Sequence, residues 1–484
     1  MKKRFNRRRF LELSATITAT TAIGSAPVLF PRAVHSAAVT QDKTLVYAPV
    51  ATERKVLSFN TSWFFNRGDV SGGQLPTLND STWQPATLPH TVRLETFNNS
   101  GGLNYQGIAW YRRHFALDST YSGRKLFVRF EGAMQVADVW VNGVSLGEHQ
   151  GGFTPFVFDI TSHVTLDGSD NVIAVKLDNS DNGNVPPGKP ELQLDFNYFG
   201  GLYRSVSLIV VDPLHITDEI YANQVAGGGV FVTTPTVSTS SATIQIQTHV
   251  QNDGVAAAST TVKSSVVDAS GTLVTSTQST NTINAGSAIT FVQSVTVSNP
   301  HLWSPDTPYL YTVYSEVDNG STPVDSVQTR IGIRSISFSK ANGFILNGKQ
   351  LYLDGTNRGH QEYPYVGFAV PQSGQYRDAL LLKESGANFV RSAHYPPDRA
   401  FLDACDELGI MVMDAIPGWQ YYSTTTQFVN DSYNDVREMI RRDRNHPSVI
   451  LWEVSLNETS VPTSYEQMTH SITHAEYPGN QTFT

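Results

Sequence analysis

Cysteine is almost absent from this chain of 484 residues, in which Cys405 is the only thiol. One thiol cannot form an internal disulfide bond. Zinc binding or thiol catalysis would need further ligands at characteristic spacings, which the sequence lacks. Cys405 falls within a predicted helix, so we expect it to be a small core residue. The spacing of residues therefore assigns no metal site.

Charge is also scarce, at 16% of residues, with 34 Lys and Arg against 43 Asp and Glu. So acidic a chain argues against nucleic acid or an anionic membrane as a partner. Aromatic residues make up 11%, and there are 36 Gly and 24 Pro. This composition is typical of β-domains and sugar-binding surfaces, and the length allows about two to four domains.

The N-terminal residues 1–38 have a basic start, an apolar stretch to about Phe30 and then small residues. Arg7–Leu11 (RRRFL) resembles the twin-arginine export signal of bacteria. A membrane anchor is the weaker alternative, because the Thr-rich stretch is short and only mildly apolar. Removing seven basic residues and one acidic residue with this segment leaves 27 basic against 42 acidic residues, a net charge of −15. We expect an exported protein, periplasmic or extracellular, with no membrane span after removal of the signal.

Residues 39–211 contain short alternating segments separated by Gly, Asn and Asp, such as Lys125–Glu131, Val136–Val141 and Val172–Leu177. Asn142–Gly143 between two apolar runs predicts a tight hairpin. The pattern predicts an antiparallel β-sandwich of jelly-roll type.

Residues 212–335 shift to Ser, Thr and Val, and Ile244, Ile246 and Val250 alternate with polar residues. About seven such strands, with a turn at Asp268–Gly271, predict an immunoglobulin-like β-sandwich. We find no catalytic chemistry in this segment and interpret it as a spacer.

In residues 336–484 strands alternate with helices, which predicts βα units and a parallel sheet. The predicted strands are Leu351–Thr356, Asn388–Ala393, Ile410–Asp414 and Val449–Leu456, and the predicted helices are Tyr376–Ser385, Arg399–Leu408 and Ser432–Arg442. A (β/α)₈ TIM barrel needs about 250 residues. The fold class is therefore multidomain, β plus α/β, ending in the N-terminal half of an incomplete barrel, whose strand edge and apolar helix faces we expect to be uncovered.

The last predicted strand ends in Asn457–Glu458, at the barrel rim where catalytic groups lie. A carboxyl group at an apolar rim would be desolvated, as suits a general acid. Glu453 lies five residues earlier, so strand alternation points it to the opposite face and excludes it as the partner of Glu458. His360, His394 and Asp414 follow or end other strands.

Ordered motifs along the chain carry a resemblance to a known family. They are AWYRRHF (109–115), VNGVSLGEHQGGFTPF (141–156), GGLYRSV (200–206), LWSPDTPYLY (302–311), GTNRGHQ (355–361), FVRSAHYP (389–396) and NHPSVILWEVSLNE (445–458). In this order the chain resembles a β-galactosidase-type enzyme of glycoside hydrolase family 2. The resemblance implies retaining hydrolysis of a β-glycoside by two carboxylates about 5–5.5 Å apart.

The resemblance also implies roles for individual residues. Glu458 would be the acid/base, and Asn457 would hold the sugar 2-hydroxyl. The remaining implied contacts to the substrate are Asp195, lent by the first sandwich, Asn104, His360, Arg391 and His394.

The sequence departs from the family pattern in three places. Gly359 separates Arg358 from His360, where many members have Arg and His adjacent. Ala415 stands where many members carry a Glu, which binds magnesium in some, so a Mg²⁺ cofactor is doubtful and none is assigned. The family's nucleophile lies on a later strand than these 484 residues contain, and Asp414 is the only other predicted strand-end carboxylate that could replace it.

We therefore expect a C-terminally truncated β-glycosidase, first of all a β-galactosidase acting on an oligo- or polysaccharide, and inactive as an isolated chain. β-Glucuronide and β-mannoside specificities occur in the same family. A non-catalytic carbohydrate-binding protein that uses the jelly roll alone is the alternative. A complementing C-terminal fragment or a homo-oligomer could complete the barrel.

Overall fold

The structure, a computed structural model, describes residues 46–94, 104–194, 197–359, 363 and 365–484. The predicted export signal and the predicted site residues Asp195 and His360 lie outside the described residues. Among the described residues, no helix is long and apolar enough to cross a membrane.

The first domain consists of two antiparallel sheets, in the strand orders β1-β10-β5-β8 and β3-β2-β4-β9-β6-β7. Its strands are β1 Lys55–Ser58, β2 Trp63–Arg67, β3 Gln84–Ala86, β4 Ile108–Ala116, β5 Lys125–Phe130, β6 Val136–Val141, β7 Val144–Gln150, β8 Phe156–Asp159, β9 Asp170–Asp178 and β10 Val206–Val211. Asn142 and Gly143 join β6 to β7 with φ of 51° and 80°. Positive φ at both positions is what a type I′ hairpin turn requires, so the predicted hairpin is confirmed.

The second domain is a further pair of antiparallel sheets, β11-β13-β12 with β16 beside β13, and β15-β14-β17-β18. Its strands are β11 Leu214–Ile216, β12 Val230–Val237, β13 Ser241–Asn252, β14 Ala258–Val267, β15 Leu273–Ile283, β16 Ser287–Ser298, β17 Tyr311–Asn319 and β18 Thr322–Ile331. The alternating residues Ile244, Ile246 and Val250 are fully buried, as their period of two predicts. Gly271 N donates to Asp268 O over 3.0 Å, which confirms the predicted turn.

The third domain begins with a small antiparallel sheet and continues with four parallel strands in chain order, β22-β23-β24-β25. Its strands are β19 Ile336–Ser339, β20 Gly343–Leu346, β21 Lys349–Gln350, β22 Gly355–Gly359, β23 Phe389–Ala393, β24 Met411–Ala415 and β25 Val449–Glu453, and its helices are α1 Gln372–Glu384, α2 Arg399–Leu408, α3 Thr426–Asp443 and α4 Thr463–Glu476. The described strands form an incomplete barrel that does not close.

The ends of several predicted elements were wrong in this domain. The first parallel strand begins at Gly355 rather than Leu351, and the last ends at Glu453 rather than Leu456. Helix α3 begins six residues before the predicted Ser432, because the Thr425 side chain accepts a hydrogen bond from Phe428 N and caps it. Helix α2 has the predicted bounds.

Apolar side chains are exposed beside the open edge. Tyr365 is 87% exposed, and Leu381 on α1 is 48% exposed. Strand β22 lies at the edge of the sheet. All three of its residues that precede Arg358 are exposed. The expectation of an uncovered edge is therefore confirmed. Cys405 is fully buried and contacts the core, also as expected.

Candidate active site

An arginine and a glutamate meet at the ends of the parallel strands. Arg391 on β23 donates from Nε to Glu453 Oε2 over 2.6 Å, and its Nη2 donates to Glu453 Oε1. The same Nη2 reaches Asn457 Oδ1 over 3.0 Å. Both side chains of the ion pair are more than four-fifths buried. A bidentate guanidinium–carboxylate pair fixes the orientation of both groups.

The expectation that Glu453 is not the partner of Glu458 stays a prediction, because no described contact joins these two side chains. The strand ends at Glu453, so alternation does not continue to Glu458. The pairing register also shifts: Val412 faces Val449, whereas Met413 faces Leu451, so β25 contains one extra residue. Such a bulge changes which face the following side chains occupy. Arg391 contacts both Glu453 and Asn457, which follow this extra residue and are four residues apart.

The loops after β24 and β25 are joined by backbone hydrogen bonds. Asn457 N donates to Gly418 O over 3.0 Å, and Gln420 N donates to Asn457 O over 2.9 Å. Gln420 and Glu458 have positive φ of 49° and 51°. This pairing holds two non-glycine residues in the left-handed region and brings their side chains together.

Glu458 is exposed, so the expectation of a desolvated carboxyl group at an apolar rim is wrong for this structure. Its Oε2 accepts a hydrogen bond from Gln420 Nε2 over 2.5 Å. Gln420 Oε1 accepts in turn from Lys189 Nζ, also over 2.5 Å. Sequence reasoning missed Gln420 and Lys189, because neither belongs to a recognisable motif and Lys189 lies in a different domain.

His394 follows β23 and lies at the same rim. Its Nε2 is 3.5 Å from Asn457 Nδ2, and its ring lies 5.8 Å from the ring of Trp419. The structure therefore brings four of the predicted site residues together: Arg391, His394, Asn457 and Glu458.

Other predicted residues do not join this group. Asp414 is fully buried, and burial together with the Asp443 carboxylate raises its pKa well above the ordinary value. Because the group is neither accessible nor readily ionised, it cannot act as the nucleophile. Asn104 is buried, and its side-chain oxygen and nitrogen have no hydrogen-bond partner among the described residues. No described contact links it to Glu458.

The position at which some members of the family carry a magnesium-binding Glu is occupied here by Ala415. Ala415 is buried and has no side-chain oxygen. One group of metal-binding side chains occurs in the part of the chain that the structure describes: Asp403, Asp406 and His446. Asp406 accepts from His446 Nδ1 over 2.6 Å and from Ser448 N over 3.0 Å, while Asp403 pairs with an arginine. These protein partners already satisfy the carboxylates.

The first domain packs directly against the barrel rim through aromatic rings. Phe153 stacks on Tyr395, with ring centroids 4.2 Å apart, and Tyr198 lies 5.6 Å from Trp419. Arg204 Nη2 donates to Pro396 O over 2.7 Å. The sandwich therefore forms one wall of the region around Asn457 and Glu458.

Three family models match successive parts of the chain. Their descriptions are Glycosyl hydrolases family 2, sugar binding domain, at residues 86–213; Glycosyl hydrolases family 2, at 228–334; and Glycosyl hydrolases family 2, TIM barrel domain, at 338–476. They follow the order of the three observed domains.

Curated relatives include enzymes with two different names. A β-galactosidase of Thermoanaerobacter pseudethanolicus is 35% identical over 422 residues, covering 87% of this chain and 54% of that protein. A β-glucuronidase of Formosa agariphila is 32% identical over 419 residues, covering 83% and 42%. A solved β-glucuronidase structure from glycoside hydrolase family 2 superposes with a TM-score of 0.82 at 30% identity, covering 90% of this chain and 46% of that one. The chain spans about half the length of the curated relatives it matches.

Proposed function

The chain belongs to glycoside hydrolase family 2, and from this premise we propose that it forms part of an exported retaining β-galactosidase with Glu458 as the acid/base. The observation that carries the proposal is the position of Glu458, exposed at the barrel rim and next to the Asn457 amide that Arg391 orients. A general acid must reach the glycosidic oxygen, and an exposed carboxyl group at the strand ends can do so.

Arg391 determines which way the Asn457 amide faces. Because Oδ1 accepts from Arg391, Nδ2 is left to donate towards His394 and a bound sugar. This orientation supports a role for Asn457 in binding the sugar 2-hydroxyl. Glu458 would protonate the leaving oxygen and then remove a proton from the attacking water.

The nucleophile is the second carboxylate that a retaining mechanism needs, about 5–5.5 Å from the first. Both oxygens of Glu453 are bound by Arg391, and Asp414 is fully buried. Neither is suited to attack a sugar. We therefore place the nucleophile on further barrel strands that these 484 residues do not include, supplied by additional sequence or by a complementing chain.

The proposed sugar is β-galactose, on the implied role of Asp195 and the β-galactosidase among the relatives. The Arg391–Glu453 pair argues against Arg391 as the group that would bind a glucuronide. Arg391 is already neutralised by a bidentate carboxylate, so it does not offer an unpaired cation to the carboxylate of a uronic acid.

The test is hydrolysis of 4-nitrophenyl β-galactoside, β-glucuronide and β-mannoside. The purified chain would be assayed alone and after co-expression with the second barrel half of the Thermoanaerobacter relative. We expect almost no turnover alone and galactoside turnover in the complex, lost in Glu458→Gln. Turnover unchanged in Glu458→Gln would contradict the proposal. Sugar binding without hydrolysis, weakened by Asp195→Ala but not by Glu458→Gln, would favour the carbohydrate-binding alternative.

A further inference from the structure

We propose that Lys189 of the first sandwich and Gln420 of the barrel position the Glu458 carboxyl group for proton transfer; the proposal rests on the acid/base role proposed above. The observation is a continuous chain of hydrogen bonds, from Lys189 Nζ to Gln420 Oε1 and from Gln420 Nε2 to Glu458 Oε2, each 2.5 Å long. Lys189 acts on Glu458 only through the amide, so it is a positioning residue.

The amide of Gln420 can satisfy both neighbours in one orientation only. An ammonium group has donors and no acceptor, whereas an ionised carboxylate has acceptors and no donor. Turning the amide over would place its NH₂ against the ammonium and its oxygen against the carboxylate, two repulsive contacts. Lys189 therefore selects the orientation in which Gln420 donates to Glu458.

This orientation decides where the catalytic proton lies. With Oε2 of Glu458 accepting from Gln420, the proton of the acid form is carried on Oε1, which is not bound by the amide. In the reversed orientation the Gln420 oxygen would accept that proton and compete with the glycosidic oxygen for it. Lys189 thereby keeps the proton available to the substrate.

The position of Lys189 is built into the contact between domains. Tyr421 Oη donates to Gly183 O over 3.1 Å, and Thr425 Oγ1 donates to Asn184 Oδ1 over 3.0 Å. Gly188 has φ of 75°, and a Cβ there would lie 2.5 Å from the Tyr421 ring. The loop before Lys189 is thus held on the loop after β24, next to Gln420.

The ammonium of Lys189 keeps its charge available for this role. Within the described part of the chain it forms no ion pair with a carboxylate, and its side chain is only partly buried. The other cation of the rim, Arg391, is neutralised by Glu453. The positive end of the hydrogen-bond chain therefore comes from a domain that carries no catalytic carboxylate.

The first test needs no turnover. In the 484-residue protein labelled with ¹⁵N-glutamine, the side-chain NH₂ signal of Gln420, assigned by its loss in Gln420→Ala, should move as Glu458 ionises. We expect this movement to be lost in Glu458→Gln and strongly reduced in Lys189→Met and Gly188→Ala. It should persist in Lys189→Arg and in the control Lys340→Met, at an exposed turn. A movement unchanged in Lys189→Met would overturn the proposal.

The second test uses the active preparation and leaving groups of different basicity. A misplaced acid should lower the rate only for a substrate whose leaving group needs protonation. Lys189→Met should lower kcat/KM for phenyl β-galactoside about tenfold and change that for the 2,4-dinitrophenyl substrate within about twofold. Equal losses for both substrates would indicate general damage and contradict positioning. If Glu458→Gln leaves turnover of both substrates unchanged, the acid/base role itself fails, whatever the result for Lys189.

Discussion

Arg391 on β23 binds both carboxyl oxygens of Glu453 on β25, across the intervening strand β24, and holds Asn457 with the same guanidinium group. The pair is largely buried, so its charges interact through a medium less polar than water. The same guanidinium group therefore joins β23 to β25 and orients the Asn457 side chain at the rim.

Separating this pair should destabilise the chain. Arg391→Ala leaves a largely buried carboxylate without its partner, and we expect the free energy of unfolding to fall by about 2–4 kcal/mol. Urea unfolding of Arg391→Ala, of Glu453→Gln and of the double variant measures the coupling free energy between the two side chains. The pair Lys176–Asp138, 4.0 Å apart and about one third exposed, is the control and should give less than about 1 kcal/mol. Equal values for the two pairs would contradict the argument.

Asp431 on α3 should make stability depend on pH. Burial, with the carboxylate of Glu438 adding to it, raises its pKa from the ordinary 3.8 to about 6. The folded state therefore binds the proton more tightly than the unfolded state, and stability falls as pH rises from about 4 to about 6. Asp431→Asn should remove this loss.

We expect Asp431→Asn to raise the free energy of unfolding by about 1–2 kcal/mol at pH 7, allowing for partial screening by solvent. The gain should vanish below about pH 4. Urea unfolding at pH 4, 5, 6 and 7 measures it, with Glu384→Gln on the exposed end of α1 as the control. A gain that stays constant with pH would show that the titration of Asp431 is not its source.

Gly355 and Gly359, both in β22, should respond differently to alanine. A Cβ at Gly355 would lie 1.8 Å from Phe389 O, whereas one at Gly359 meets no atom within 4 Å. Gly355→Ala therefore has to separate β22 from β23 and should lower the free energy of unfolding by at least about 2 kcal/mol. Gly359→Ala should change it by less than about 1 kcal/mol. Thermal unfolding of the two variants provides the comparison, and similar values would argue against close β22–β23 packing.

The uncovered edge should make the isolated chain associate with itself. Leu381 is 48% exposed on α1, beside the unpaired edge strand β22. Contiguous exposed apolar surface and an open edge promote association. Leu381→Asp should reduce the associated fraction in light scattering and sedimentation. Val255→Asp, at a lone apolar residue exposed in the second domain, should have no effect; a reduction as large in this variant would point to net charge as the cause.

The secondary structure of this chain could be predicted where the pattern is local. The alternation of Ile244 and Ile246 and the turn at Asn142–Gly143 depend on neighbours a few residues away, and both predictions were confirmed. Helix α2 has its predicted bounds because Asp398 caps its start and Gly409, with φ of 71°, ends it. The start of α3 was missed because the polar residues 430–432 separate Phe428 and Val429 from the apolar positions that follow.

Part of the candidate site was also predictable from a local pattern. Asn457 and Glu458 follow directly from a strand end, which a sequence pattern marks. The contact of Arg391 with both Glu453 and Asn457 was not predicted, because it joins β23 to β25 across β24, which alternation along one strand cannot reveal.

The sequence by itself determined the three domains, their order and the strand end that carries Glu458, because periodicity and turn residues act over short distances along the chain. Only the tertiary structure decided that Arg391 binds Glu453, and that Lys189 reaches Glu458 through Gln420. Lys189 and Gln420 are 231 residues apart, and Gln420 and Glu458 are 38 apart. The first contact arises from the packing of one domain on another and the second from the packing of two loops within the barrel, and no local pattern records either.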